Sequence, residues 1–219
     1  MNVKLRPGAP GDSAECGRIC FEAFKKIAER HNFPKDFPSP EIASGLMTFL
    51  MTQPGFHSIV AERDGRIVGS NFLDERSVIT GIGPISVDPD AQTRGIGRLL
   101  MESALARARE RSAAGVRLVQ AGYNNQTMCL YSKLGFRTRE PLSMMAGSPP
   151  KVNLPGYGVR RAAQGDIDAC NRLCRTARAK WWMRHGPGPR RLLNVSAGSP
   201  AMRLKSDFSP MRQRKLTTT

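Results

Sequence analysis

Ile85-Ser86-Val87-Asp88-Pro89, followed after two residues by Gln92-Thr93-Arg94-Gly95-Ile96-Gly97-Arg98-Leu99-Leu100, decides how this chain is read. A strand ends, a short loop turns, and a helix opens on two glycines. The first turn of a helix presents unpaired N–H groups and the positive end of the peptide dipoles, which suits a phosphate. Glycine lets the backbone come close to an oxygen and adopt positive φ. The N–H groups of Arg94, Gly95, Ile96, Gly97 and Arg98 would cradle a pyrophosphate, with the Arg94 and Arg98 guanidinium groups adding charge. Gly-x-Gly alone also fits a helix start packed tightly for structural reasons. A dinucleotide fingerprint would need Gly or Ala where Leu100 stands and an acid near Arg117, and a P-loop would need Gly-Lys-Ser/Thr.

Around this block the pattern alternates between helical and strand periods. Val3 to Arg6 reads as a strand, 12–30 as a helix entered at Asp12, and Pro40 to about Met51 as a second helix. His57 to Glu62 and Arg66 to Leu73 are strands joined by an Asp64-Gly65 hairpin turn. Val78 to Val87 is a fourth strand, in which Pro84 predicts a bulge or splay. Gly95 to Arg111 is a helix with Leu99, Leu100, Ala104 and Ala108 on its apolar side. Val116 to Ala121 is a strand and Asn125 to Leu134 a helix. Phe136 to Thr138 and Leu142 to Met145 are two last strands. Seven strands interleaved with helices predict a mixed α/β fold around one sheet.

A second block follows the glycine turn: Asn124-Asn125-Gln126-Thr127-Met128-Cys129-Leu130-Tyr131-Ser132-Lys133-Leu134-Gly135-Phe136. Together the two blocks resemble the GNAT acetyltransferase superfamily. Gln92, Gly95 and Gly97 match its Arg/Gln-x-x-Gly-x-Gly/Ala block, and Asn124 with Leu130, Tyr131, Lys133, Leu134, Gly135 and Phe136 match its Asn…Leu-Tyr-x-Lys-Leu-Gly-Phe block. The resemblance spans about residues 2–146. It implies a mixed, mostly antiparallel seven-stranded sheet splayed between its fourth and fifth strands. Acetyl-CoA would lie in that gap, its pyrophosphate on residues 94–98. The Val87 N–H would face the thioester carbonyl, Asn124 would touch the pantetheine arm, and Tyr131 would protonate the leaving thiolate. Read as structure alone, Tyr131 is an aromatic capping the core.

The expected activity is transfer of an acetyl group to a primary amine. A lysine-like amine has a pKa near 10.4, so freeing it at pH 7 costs about 4–5 kcal/mol and calls for a base or desolvation. Many family members place an acid or histidine on the fourth strand. Here Ile79 to Val87 holds no ionisable side chain. Glu75, at the end of the third strand, is the candidate base, directly or through water; its structural alternative is a solvated pair with Arg76. His57 is a weaker candidate. The segment from Phe24 to Met51 would wall the acceptor site, with Phe33, Phe37 and Phe49 either lining it or filling core. A non-catalytic acyl-CoA-binding module is the alternative from another class.

The chain has 219 residues and a net charge of +16, but the excess is uneven. Residues 1–150 carry 19 basic and 15 acidic side chains, a net of +4, whereas 151–219 carry 15 and 3, a net of +12. The basic character therefore belongs to the C-terminal part, where nucleic-acid binding is a third reading. Trp181 and Trp182 there would offer stacking faces or form a chance apolar cluster. Hydrophobic content of 40% excludes global disorder, and no run of 18 apolar residues predicts a membrane helix. Without an apolar leader, and with five cysteines, the expectation is a cytoplasmic protein with free thiols and no metal site. Cys16/Cys20 and Cys170/Cys174 are spaced i, i+4, as small buried thiols would be.

Residues 147–158 read as a Pro/Gly-rich linker. Beyond it the N-terminal pattern recurs: a shift of 154 places Arg6 on Arg160, Ala9 on Ala163, Gly11 on Gly165, Asp12 on Asp166, Cys16 on Cys170, Arg18 on Arg172 and Cys20 on Cys174. Residues 159–175 are thus expected to open a second, truncated copy of the fold as strand and helix. Residues 176–219, basic and proline-bearing, are expected to be disordered.

Overall fold

The computed structural model describes residues 3–139, 141–143, 147–148 and 155–185. The chain divides into two compact units, Met1–Lys151 and Val152–Thr219.

The first unit opens with β1 (Val3–Pro7), a 3-10 turn at Pro10–Asp12, α1 (Ser13–Arg30) and α2 (Pro40–Thr52). It continues through β2 (Phe56–Arg63), β3 (Arg66–Asp74), β4 (Ile79–Ile82), β5 (Ser86–Val87), α3 (Ile96–Glu110), β6 (Gly115–Arg117) and α4 (Asn125–Lys133). Asp12 enters α1 as expected, but its carboxylate does not cap that helix. It accepts the Ala9 N–H at 2.8 Å and both Arg6 Nη atoms, Nη1 at 2.6 Å and Nη2 at 2.9 Å. The acid thereby ties β1 to the turn before α1.

The sheet runs β1-β2-β3-β4-β6, with β5 also pairing β3. All pairs are antiparallel except β4 with β6. Alternation on β2 and β3 supplies both faces. Ile59, Ala61, Val68 and Leu73 pack toward Ile96, Leu100, Met101, Ala104 and Ala108 of α3. Val60 and Phe72 join Cys16, Cys20, Met47 and Leu50 of α1 and α2. Leu99, expected on the apolar side of α3, is 40% exposed; Met101 takes that place.

Two expectations about the sheet are corrected. The segment 78–87 is not one strand: the chain breaks at the cis Gly83-Pro84 bond, so β4 and β5 pair separately. Phe136–Thr138 forms no strand, nor do Leu142 and Ser143; Met144 and Met145 lie outside the described residues. Arg137, Thr138 and Arg139 are exposed, and among the described residues no neighbouring backbone pairs with them. Among the described residues the sheet therefore has six strands rather than seven.

In the second unit a 3-10 turn at Gln164–Asp166 leads into α5 (Ile167–His185). The helix runs ten residues past 175, where disorder was expected to begin. Residues 186–219 lie outside the described residues, as do the side chains of Trp181 and Trp182. Among the described residues no helix is long and apolar enough to cross a membrane.

Candidate active site

The ladder between β4 and β6 covers only Ile79–Gly81 against Gly115–Arg117. Beyond it, β5 pairs with β3 alone. The Asp88 N–H donates to the Val68 carbonyl at 2.9 Å. Because N–H groups alternate along an antiparallel strand, the Val87 N–H points away from β3, to the side where β6 has ended. The Val87 carbonyl on that side accepts the Gln92 Nε2 at 3.1 Å. Gln92 thus fastens the glycine turn to β5, a positioning role for a residue expected to touch the cofactor.

The turn itself is built as the glycine spacing requires. Gly95 is the N-cap of α3 with φ of +81°, and no side chain caps the helix. The first turn holds no acid. The N–H groups of Ile96, Gly97 and Arg98 lack intrahelical partners, since the first bond of the ladder is Leu99 N–H to the Gly95 carbonyl at 3.1 Å. Arg94 is exposed, and half-buried Arg98 reaches Glu102 at 3.3 Å. A Cβ on Gly97 would lie 3.7 Å from Leu130 Cδ2 and 3.8 Å from Val87 Cγ2. Gly97 therefore sits between Val87 of β5 and Leu130 of α4, and a side chain longer than alanine would press on both.

On the other wall, Asn124 is the N-cap of α4, its Oδ1 accepting the Thr127 N–H at 3.3 Å. This occupies the carbonyl end of the amide and leaves Nδ2 as its donor. Tyr131 is 7% exposed and packs in the α3-side core beside Phe136. Burial pushes its phenol up to about 12, so it stays protonated at neutral pH. Among the described residues its hydroxyl makes no hydrogen bond, yet it is not among the fully buried polar atoms left without a partner. The ring belongs to the core.

Glu75 is found elsewhere. Its carboxylate, 8% exposed, is held by Arg107 at 2.7 Å and Arg111 at 3.3 Å. Arg107 lies eleven residues into α3, about 16 Å along the helix from the glycine turn. Arg76, the partner foreseen for Glu75, instead pairs with Asp74 at 2.8 Å. Glu75 anchors the end of β3 to the far end of α3, its carboxylate engaged by two guanidinium groups. His57 lies near the same ion pairs, its imidazole pKa lowered by burial and then by Arg107.

The three expected aromatics of the acceptor wall separate. Phe33 stacks on Tyr123 with centroids 4.2 Å apart; Phe37 sets its edge against Phe24 at 5.5 Å; Phe49 faces Phe56 of β2 at 6.1 Å. Tyr123, immediately before Asn124, was missed in the sequence, where nothing local pairs it with residue 33. Cys16 and Cys20 are buried, with thiols pushed up to about 11 and 12, so they are inert; all five cysteines are free. Among the described residues no cluster of three or more possible metal ligands occurs.

Residues 54–138 match the family model described as acetyltransferase (GNAT) domain. Over that stretch the chain is similar to GNAT acetyltransferase domains. The mycothiol acetyltransferase of Thermomonospora curvata is 37% identical over 92 residues, covering 42% of this chain and 31% of that protein. That of Cellulomonas flavigena is 32% identical over 112 residues, 46% of this chain and 32% of the relative. The chain thus spans about a third of the length of the curated relatives it matches. In fold the chain is similar to PaiA N-acetyltransferase from Thermoplasma acidophilum, solved with coenzyme A. That likeness has a TM-score of 0.54 at 15% identity and covers 63% of this chain and 91% of the other.

Proposed function

We propose that residues 3–139 bind acetyl-CoA and transfer its acetyl group to a primary amine. The observation that carries this reading is the uncapped, acid-free start of α3 at Gly95, supported by the Val87 N–H that β3 leaves free and by a Tyr131 phenol that keeps its proton. The residues present fit the cosubstrate: Ile96, Gly97 and Arg98 offer N–H groups to a pyrophosphate, and Arg94 and Arg98 offer charge. Asn124 Nδ2 is the donor available to a pantetheine amide. When bound, acetyl-CoA supplies an activated thioester. The Val87 N–H would stabilise negative charge on the carbonyl oxygen, and Tyr131 would hold a proton toward the sulfur.

The absence of an ionisable side chain in Ile79–Val87, with Glu75 locked by two arginines, favours a second reading as a non-catalytic acyl-CoA-binding module. Calorimetry of the full chain with acetyl-CoA tests the shared part. Binding is expected for the wild type and lost in a folded Gly97→Glu variant, whose carboxylate would occupy the cleft. No binding by the wild type would sink both readings, and a panel of amines then separates enzyme from sensor by release of free thiol.

We read 155–185 as the opening of a second such unit. In support, Arg160 grips Asp166 with both Nη atoms at 2.7 Å, and the Ala163 N–H donates to Asp166 at 2.7 Å. The same three contacts join Arg6, Asp12 and Ala9, each agreeing to within 0.2 Å. Arg160→Ala should release the Ala163 amide to fast hydrogen exchange; unchanged protection would count against the pairing.

A further inference from the structure

We propose that Arg18 of α1 is a positioning residue for acetyl-CoA: it fixes the Asp88 carboxylate at the turn between β5 and α3 and offsets its charge there. This rests on the acetyl-CoA-binding reading and extends it to a helix outside the stretch that matches the family model.

Asp88 follows Val87 directly, and each of its polar groups is engaged. Its N–H donates to the Val68 carbonyl at 2.9 Å. Its carbonyl accepts the Ala91 N–H at 2.8 Å, which closes the β-turn Asp88-Pro89-Asp90-Ala91. Pro89 fixes φ at the second position, and Asp88 Oδ1 accepts the Asp90 N–H at 2.9 Å, the contact of an Asx-turn. Asp88 Oδ2 accepts Arg18 Nη2 at 3.2 Å. The turn ends at buried Ala91, and the next residue, Gln92, returns its amide to the Val87 carbonyl. Asp88 and Gln92 therefore hold the end of β5 from both sides of the turn that leads into α3.

Arg18 reaches this turn from a fixed base. Its neighbours Cys16, Ile19 and Cys20 are fully buried and seat α1 on the sheet. Glu15, one helical turn earlier, grips the guanidinium twice, Nε to Oε2 at 3.0 Å and Nη2 to Oε1 at 2.7 Å. The plane of the guanidinium is thus set by its own helix, and the shared Nη2 is left directed at Asp88. Arg18, Arg66, Asp88 and Asp90 line one open groove. Asp88 and Asp90 place two negative charges on the turn that precedes the pyrophosphate-binding helix start, where they oppose an anionic cosubstrate. Arg18 offsets the first of them. It also keeps Oδ2 occupied, which restrains the carboxylate from turning away from the Asp90 N–H. Loss of the guanidinium would leave an uncompensated charge one residue from the Val87 N–H and a looser entry to α3.

A double-mutant cycle in the full chain tests this, with acetyl-CoA affinity read by calorimetry. Arg18→Met should weaken binding about three- to fivefold, the upper range for a partly exposed ion pair. Asp88→Asn keeps an oxygen for the Asp90 N–H and removes the charge, so it should bind within about twofold of the wild type. In that background Arg18→Met should change the affinity by less than about 1.5-fold, because the partner through which it acts is gone. Arg18→Lys, which keeps the charge without the two-pronged grip, should recover part of the loss. An equal loss from Arg18→Met in both backgrounds would show that the residue acts only through the stability of α1 and would overturn the proposal. Unchanged affinity in Arg18→Met, or no recovery with lysine, would overturn it as well. Absence of acetyl-CoA binding in the wild type would instead overturn the donor reading on which it stands.

Discussion

Replacing Tyr131 by Phe removes one oxygen and asks what that oxygen does. The phenol is pushed up to about 12, whereas an ordinary thiol titrates near 8.5. Complete transfer of the phenolic proton to a thiolate would be uphill by roughly 3.5 pKa units, or about 5 kcal/mol at 1.36 kcal/mol each. A hydrogen bond to sulfur as its charge develops avoids that cost and is worth about 1.5–3 kcal/mol. Tyr131→Phe should therefore lower kcat by about 10- to 150-fold, less than the upper range for a full general acid. Free-thiol release at saturating amine and acetyl-CoA measures it. Acetyl-CoA affinity should stay within about twofold, and the unfolding midpoint should hardly move, because the ring remains packed and the hydroxyl bonds to no described residue. In the wild type kcat should not fall between pH 8 and 10, since the phenol keeps its proton until near 12. A loss of less than threefold, with unchanged cosubstrate affinity, would show that Tyr131 is only core and that the oxygen lies away from the sulfur.

Other perturbations probe the scaffold around the cleft. Gly17→Ala would drive its Cβ into the backbone of Ser44, 2.6 Å from the Ser44 N, so α1 and α2 must part. The expected loss is about 1–3 kcal/mol in urea unfolding, together with weaker acceptor use as the 31–39 loop shifts. Asp12→Asn should cost about 1.5–3 kcal/mol at pH 7 by weakening the double contact with Arg6. Arg6 holds the Asp12 carboxyl below its ordinary value, so this stabilisation is complete above that value and fades as pH falls through the lowered one. Wild type and variant should therefore converge in stability below about pH 4. Glu75→Gln should lower stability by loosening Arg107 and Arg111 while leaving kcat within about twofold; a kcat loss beyond tenfold in a folded variant would restore Glu75 as a base.

What the sequence disclosed, and what it hid, follows the range of the forces involved. The start of α3 was legible because its determinants are contiguous: a strand end, a turn, and Gly95 at φ of +81°. The other helices of the first unit were legible by period to within one or two residues. Chain segments that depend on a distant partner were not. Ile79–Val87 looks like one strand until its two halves take separate places along β3, Ile82 opposite Leu73 and Val87 opposite Gly69, with β6 pairing only the first half. Residues 136–138 have strand-like composition but no ladder to join, and local preference alone does not make a strand. Glu75 looked solvated because its arginines are 32 and 36 residues away, one turn apart on α3. The Phe33–Tyr123 stack was hidden for the same reason: its two rings are 90 residues apart in the chain. The donor side of such a site is written locally because it binds through backbone groups, and backbone geometry is set by neighbouring residues. The acceptor side binds through side chains gathered from separate elements, so its specificity emerges only when the sheet has closed.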